Sequence, residues 1–155
     1  MRKIIVAIDG HSSTGKSTIA KRLAKALDYT YVDTGAMYRA IAFFALENGI
    51  IQESLDTEKL IEALPKIQLS FEKNDTSDIA EICLDGKSVE AKIRNLRVSK
   101  WVSPVAAVKE VREKLVEMQQ QIGLAKGVVM DGRDIGTVVF PEAELKIFMT
   151  ASRSK

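Results

Sequence analysis

A short apolar run, Ile4-Ile5-Val6-Ala7-Ile8, passes through Asp9 straight into Gly10-His11-Ser12-Ser13-Thr14-Gly15-Lys16-Ser17. This junction constrains the fold more than any other stretch. The run is rich in β-branched residues and suits a strand buried on both faces of a parallel sheet. The octapeptide matches G-x-x-x-x-G-K-[ST] at every fixed position. Gly10 and Gly15 let the backbone wrap an anion without a Cβ in the way. Successive N–H groups and a helix N-terminus then face phosphate. Lys16 adds a mobile charge for β- and γ-phosphates, and Ser17 offers a hydroxyl to Mg²⁺. The loop Gly10–Thr18 is therefore the expected nucleotide-phosphate site, with Gly10, His11, Ser12, Ser13, Thr14, Gly15, Lys16, Ser17 and Thr18 as contacts. His11 is the only histidine. It occupies a variable loop position, and phosphoryl transfer by this machinery needs no histidine.

The next segments continue a βαβ pattern. Lys16 to Leu27 has helical spacing, with Ile19, Leu23 and Leu27 as its expected buried face. Tyr29 to Val32 reads as a second strand, Asp33-Thr34-Gly35 as a turn, and Ala36 to Asn48 as a helix closed by Gly49. Asp56 to Leu64 is a short helix stopped by Pro65. Alternation at Ile67, Leu69 and Phe71, a polar turn over 74–78, and a strand Ile79–Leu84 ended by Asp85-Gly86 predict a small antiparallel insertion at 65–92. Ser103 as N-cap and Pro104 at the first helical position open a long helix ending at Gly123. Its apolar face is Val105, Val108, Val111, Leu115, Met118 and Ile122. Gly127–Met130 and Leu145–Met149 supply a third and a fourth core strand.

Two further motifs sit where ligands of open α/β sheets bind, at carboxyl ends of strands. Asp33-Thr34-Gly35-Ala36-Met37-Tyr38-Arg39 follows the second strand, and Arg39 suits a bidentate grip on phosphate. Most arginines are nevertheless plain surface residues. Asp131-Gly132-Arg133-Asp134 follows the third strand. Asp131 occupies a Walker-B-like place near Mg²⁺, and Arg133 is in reach of phosphate. The competing explanation is a charged turn.

Composition narrows the setting. The 155 residues are 46% hydrophobic and 28% charged, which suits one soluble domain over 1–155. Cys83 is the single cysteine, so no internal disulfide forms and a reducing cytoplasm is expected. No signal peptide and no bilayer-spanning run is evident. With 23 basic and 21 acidic residues the net charge is +2 and the signs are mixed. That lacks the clustered positive charge of nucleic-acid binders and otherwise says little about partners; a small anionic substrate fits as well as anything.

Three blocks together resemble the bacterial cytidylate kinase family. They are Ile8-Asp9-Gly10 through Lys16-Ser17-Thr18, Asp33-Thr34-Gly35-Ala36-Met37-Tyr38-Arg39, and Asp131 to Pro141. Leu84-Asp85-Gly86 leading to Ile93-Arg94 resembles that family's insertion in its monophosphate-binding region, and the likeness runs along essentially the whole chain. It implies a three-layer α/β/α P-loop NTPase fold with a parallel sheet and a small antiparallel insertion. It implies transfer of the γ-phosphate of ATP to CMP or dCMP, with ATP and Mg²⁺ required, in a cytoplasmic enzyme expected to be monomeric. Thr34, Arg39, Arg94, Ser103, Arg112, Arg133 and Asp134 would surround the monophosphate. Arg39 and Arg133 would hold its phosphate, and Ser103, Arg112 and Asp134 would face the base. Lys16, Arg39 and Arg133 would be catalytic, Asp131 a further substrate contact, and Ser17 and Asp33 the metal ligands. Ser103 as helix cap and Ser103 as base contact exclude each other.

The chain departs from the family at His11, commonly Pro, and at Thr14, commonly a small residue. Family members also run tens of residues past Lys155, through a lid with arginines, a last core strand and part of the adenine pocket. A nucleotide-binding fragment without turnover is therefore the alternative expectation. A GTPase would need an N-K-x-D element, which is absent from the sequence. A shikimate-type kinase lacks the second and third motifs.

Overall fold

The computed structural model describes residues 2–11, 14–73 and 79–150. In chain order its elements are β1 (Ile5–Gly10), α1 (Lys16–Leu27), β2 (Thr30–Asp33), α2 (Thr34–Glu47), α3 (Thr57–Ala63), β3 (Leu69–Glu72), β4 (Glu81–Leu84), β5 (Lys87–Ser88), α4 (Leu96–Ser99), α5 (Val102–Ala106), α6 (Lys109–Ile122), β6 (Val128–Gly132) and β7 (Leu145–Met149). The chain divides into two compact units. One comprises Met1–Thr34, Lys73–Ala80 and Gln119–Lys155, the other Gly35–Glu72 and Glu81–Met118. The architecture is mixed α/β, with one parallel and one antiparallel sheet, the fold class expected from the sequence.

The first unit holds a parallel sheet in the order β2-β6-β1-β7. Ile5 lies opposite Val128, Val32 opposite Met130, and Val6 opposite Leu145. Val6, Ala7 and Ile8 are fully buried, as expected of a central strand covered on both faces. Helix α1 begins and ends where its periodicity predicts, but its buried face differs. Ala20 and Ala24 are buried against Val6, Ile8, Tyr31 and Val129, and Leu23 is only partly covered. Ile19 and Leu27 are exposed. Small side chains let the helix lie close to the sheet, and the larger ones are displaced to its flanks. The expected turn at Asp33-Thr34-Gly35 is instead the end of β2 followed at once by α2.

In the second unit α2 buries Ala36, Met37, Ala40, Ile41, Ala42 and Ala45. Asp56 caps α3 by accepting the Lys59 N–H at 3.2 Å, and Pro65 lies in a 3₁₀ turn directly after it. The antiparallel sheet runs β3-β4-β5. Asp85 and Gly86, with φ of 50° and 83°, form its tight hairpin. The polar turn expected over 74–78 lies outside the described residues. The single long helix expected from Ser103 is two helices. Trp101, not Ser103, occupies the N-cap position of α5, without a capping hydrogen bond from its side chain, and the helix is interrupted at Ala107–Val108 before α6 begins. Pro104 is in the first turn of α5, where the ring costs no hydrogen bond. Val105, Val111 and Leu115 are buried as the pattern requires. Among the described residues no helix is long and apolar enough to cross a membrane.

Candidate active site

In the first unit the carboxyl ends of β1, β2 and β6 bring together the loop after β1, Asp33 and Asp131. Gly10 has φ +153°, and a Cβ there would lie 2.5 Å from the Met149 carbonyl oxygen. Only glycine fits this close approach of β1 to β7. Gly15, at φ +80°, leads into α1 with no side chain among the described residues capping it, as suits a helix N-terminus that faces an anion. Thr14 donates from its N–H and its hydroxyl to the His11 carbonyl, at 3.2 and 2.7 Å. Lys16 is half-buried, while His11, Ser17 and Thr18 are exposed. Ser12 and Ser13 lie outside the described residues.

Asp131 is 2% exposed and pairs across the sheet with Asp33. Burial, and then the like charge of Asp33, push its carboxyl up to about 6. The Tyr31 O–H donates to Asp131 Oδ2 at 2.7 Å and, with the charges of Lys16 and Lys21, works the other way. The buried Thr34 hydroxyl donates to the Asp131 carbonyl at 2.8 Å. A side chain at Gly132 would collide with that hydroxyl. Two carboxylates crowded at adjacent strand ends, with the exposed Ser17 hydroxyl, are hard oxygen donors. They fit a hard divalent cation that keeps waters and phosphate oxygens as its other ligands. Arg133 and Asp134 are exposed. Asp134 adopts the left-handed conformation, φ 63° and ψ 23°, which Asp tolerates. A single π turn, Ile135–Val139, follows it. The Ile135 and Gly136 N–H groups donate to Asp9 Oδ1 and Oδ2 at 2.7 and 2.8 Å.

In the second unit Arg39 lies on α2 and donates to Ser99 Oγ at 2.7 Å and, more weakly, to the Ile93 carbonyl at 3.4 Å. Arg94 forms an ion pair with Glu90 at 2.7 Å. Arg112 is exposed on α6 and donates to the Ala106 carbonyl at 2.9 Å. Its charge offsets part of the upward shift that burial imposes on the Tyr38 phenol. Ser103 is exposed on α5, its side chain free of any capping duty.

Tyr31, Asp9 and Ser99 each hold a candidate residue or its loop, and none of them stands out in the sequence. The one available hint is the acidic residue at the very end of an apolar strand, Asp9.

The family model described as cytidylate kinase matches residues 6–155. A cytidylate kinase of Flavobacterium johnsoniae is 64% identical over 153 residues, covering 98% of this chain and 66% of the relative. That of Flavobacterium psychrophilum is 61% identical, covering 98% and 68%, and that of Phocaeicola vulgatus 55% identical, covering 98% and 67%. The chain thus spans about two thirds of the length of the curated relatives it matches. A glycine-rich loop behind a buried strand, an acidic pair at the strand ends and these similarities agree, and the chain belongs to the cytidylate kinase family.

Proposed function

We propose that the protein transfers the γ-phosphoryl group of ATP to CMP or dCMP, giving ADP and CDP or dCDP. The observation that carries this is the open, uncapped loop–helix junction at Gly15 beside the Asp33–Asp131 pair, in a chain of a kinase family. Family membership favours turnover over a nucleotide-binding module that lacks it. An oxygen of the CMP phosphate attacks the γ-phosphorus, and the bond from that phosphorus to the β–γ bridging oxygen breaks. The attacking phosphate is already largely ionised near neutrality, with a second pKa of about 6. No general base is needed, which is why an exposed His11 costs the mechanism nothing.

Positioning and charge then carry the catalysis. Gly10–Thr18 cradles the donor phosphates, and Lys16 follows the charge moving onto the β–γ bridging oxygen. Ser17 and Asp33, with Asp131 behind them, would hold Mg²⁺, which would supply neutralising charge to the donor phosphates. Arg39 and Arg133 grip the acceptor phosphate, with Thr34 and Arg94 beside it. Ser103, Arg112 and Asp134 read the base. The partners are small nucleotides, and the enzyme works as a cytoplasmic monomer.

Cytosine presents an N4 donor that Asp134 accepts, and N3 and O2 acceptors for Arg112. Uracil reverses two of these groups. A site built on hydrogen bonds rejects such a mismatch by a large factor, on the order of 10⁴ at best. The test is kcat/KM for CMP and UMP in a coupled ADP-release assay. Equal values refute the base-reading roles, and Asp134→Ala is expected to narrow the gap.

A further inference from the structure

Asp9 takes no part in the steps above, yet its carboxylate is fully committed. Both oxygens accept main-chain N–H groups, from Ile135 at 2.7 Å and from Gly136 at 2.8 Å, across 126 and 127 residues of sequence. These amides open the π turn Ile135–Val139, and the first N–H groups of any helical turn have no partner inside it. A distant side chain therefore does what an N-cap residue does, with both oxygens at once.

Its position gives this a functional sense. Asp9 is the penultimate residue of β1, next to Gly10, where the phosphate loop begins. The β1–β6 ladder ends with Asp9 opposite Gly132. Beyond Gly132 no strand pairing guides the chain, and the next two residues, Arg133 and Asp134, are exposed. Asp134 has turned into the left-handed conformation by the time the chain reaches the Asp9 carboxylate. The loop carrying Arg133 and Asp134 is thus fixed at one end by the sheet and at the other by Asp9.

We infer that Asp9 is a positioning residue for the acceptor nucleotide. It holds Arg133 and Asp134 at a set distance from the donor-phosphate loop that starts one residue after it. This rests on the assignment of those two residues to CMP. The chemistry requires a carboxylate. An Asn at position 9 is isosteric but has one acceptor oxygen, and its NH₂ would face the other N–H, donor against donor.

The test is Asp9→Asn in the intact protein, with CMP and ATP varied separately and amide exchange followed at Ile135 and Gly136. The expected result is a KM for CMP raised about ten- to a hundred-fold, the loss typical of a charge-assisted hydrogen bond. The KM for ATP should stay within about two-fold, and amide exchange at residue 135 or 136 should quicken. Unchanged exchange and KM values overturn the inference. So does an equal rise in both KM values with a lowered melting temperature, which would make Asp9 a general scaffold residue. If the variant does not fold, fast exchange of both amides in the unaltered protein overturns it equally. Failure of the unaltered protein to phosphorylate CMP would instead refute the acceptor assignment, and the exchange data would still decide whether Asp9 holds the loop.

Discussion

The two units prepare for anions in opposite ways. In the first, the candidate donor-phosphate site is main chain. Glycines at φ +153° and +80° shape the loop, an uncapped helix end faces outward, and one lysine supplies the charge. In the second, the candidate cations are long side chains set by other side chains or by stray carbonyls. Arg39 rests on Ser99, Arg94 on Glu90, and Arg112 on the Ala106 carbonyl. A main-chain group moves only with the segment that carries it, whereas a side chain changes rotamer on its own. A side-chain cluster is only as well placed as its neighbours make it. The first arrangement should fail abruptly and chemically, the second gradually and in affinity.

The sharpest break of this contrast is Lys16→Ala. The cradle has no second source of mobile charge, so kcat should fall by about 10²–10³, the 3–4 kcal/mol typical of one lost transition-state donor. The circular dichroism spectrum should be unaltered, because Lys16 holds no part of the sheet. Turnover near wild type at saturating ATP would refute the role of the loop.

A somewhat smaller effect is expected from Asp131→Asn, read as stability against pH. Folded Asp131 keeps its proton up to about pH 6, against an ordinary value of 3.8. Between these values the folded state binds more protons than the unfolded one, so stability falls as pH rises through that window and then levels off. At 1.36 kcal/mol per unit the penalty approaches about 3 kcal/mol above pH 6. The Asn variant lacks this titration. Urea unfolding in chelator should therefore show it gaining on the parent by up to that amount between pH 4 and 7. A constant difference would mean that the carboxylate is solvated.

The gentlest probe is Ser99→Ala, on the other side of the contrast. Loss of the hydrogen bond to Arg39 should cost about 1 kcal/mol, a roughly five-fold rise in the KM for CMP. An effect as large as that of Lys16→Ala would erase the distinction between the two units.

What was legible in the sequence follows the same line. The glycine-rich motif is contiguous and its fixed spacing marks a strand end and a helix start, and α1 does start at Lys16. The buried face of α1 was not legible. Periodicity finds large apolar residues, whereas close helix–sheet packing selected Ala20 and Ala24. The long helix expected from Ser103 breaks at Ala107–Val108, because an apolar stripe continues through a kink as easily as through a straight helix. Tyr31, Asp9 and Ser99 left almost no trace, since their partners lie 100, 126 and 60 residues away.

The strand order carries a consequence for how the protein is made. β1 and β2 are neighbours in sequence but do not pair, because β6 lies between them. When β1 leaves the ribosome it has no partner strand, because β6 and β7 follow later in the chain, and its apolar run waits as an unpaired edge. Ile135, which Asp9 must meet, is 126 residues further on. At a synthesis rate of about 5–20 residues per second that is a delay of roughly 6–25 s. For that time the nascent strand is a natural target for holding chaperones. The glycine-rich loop after β1 is thus translated long before β6 and β7, the two strands that flank β1.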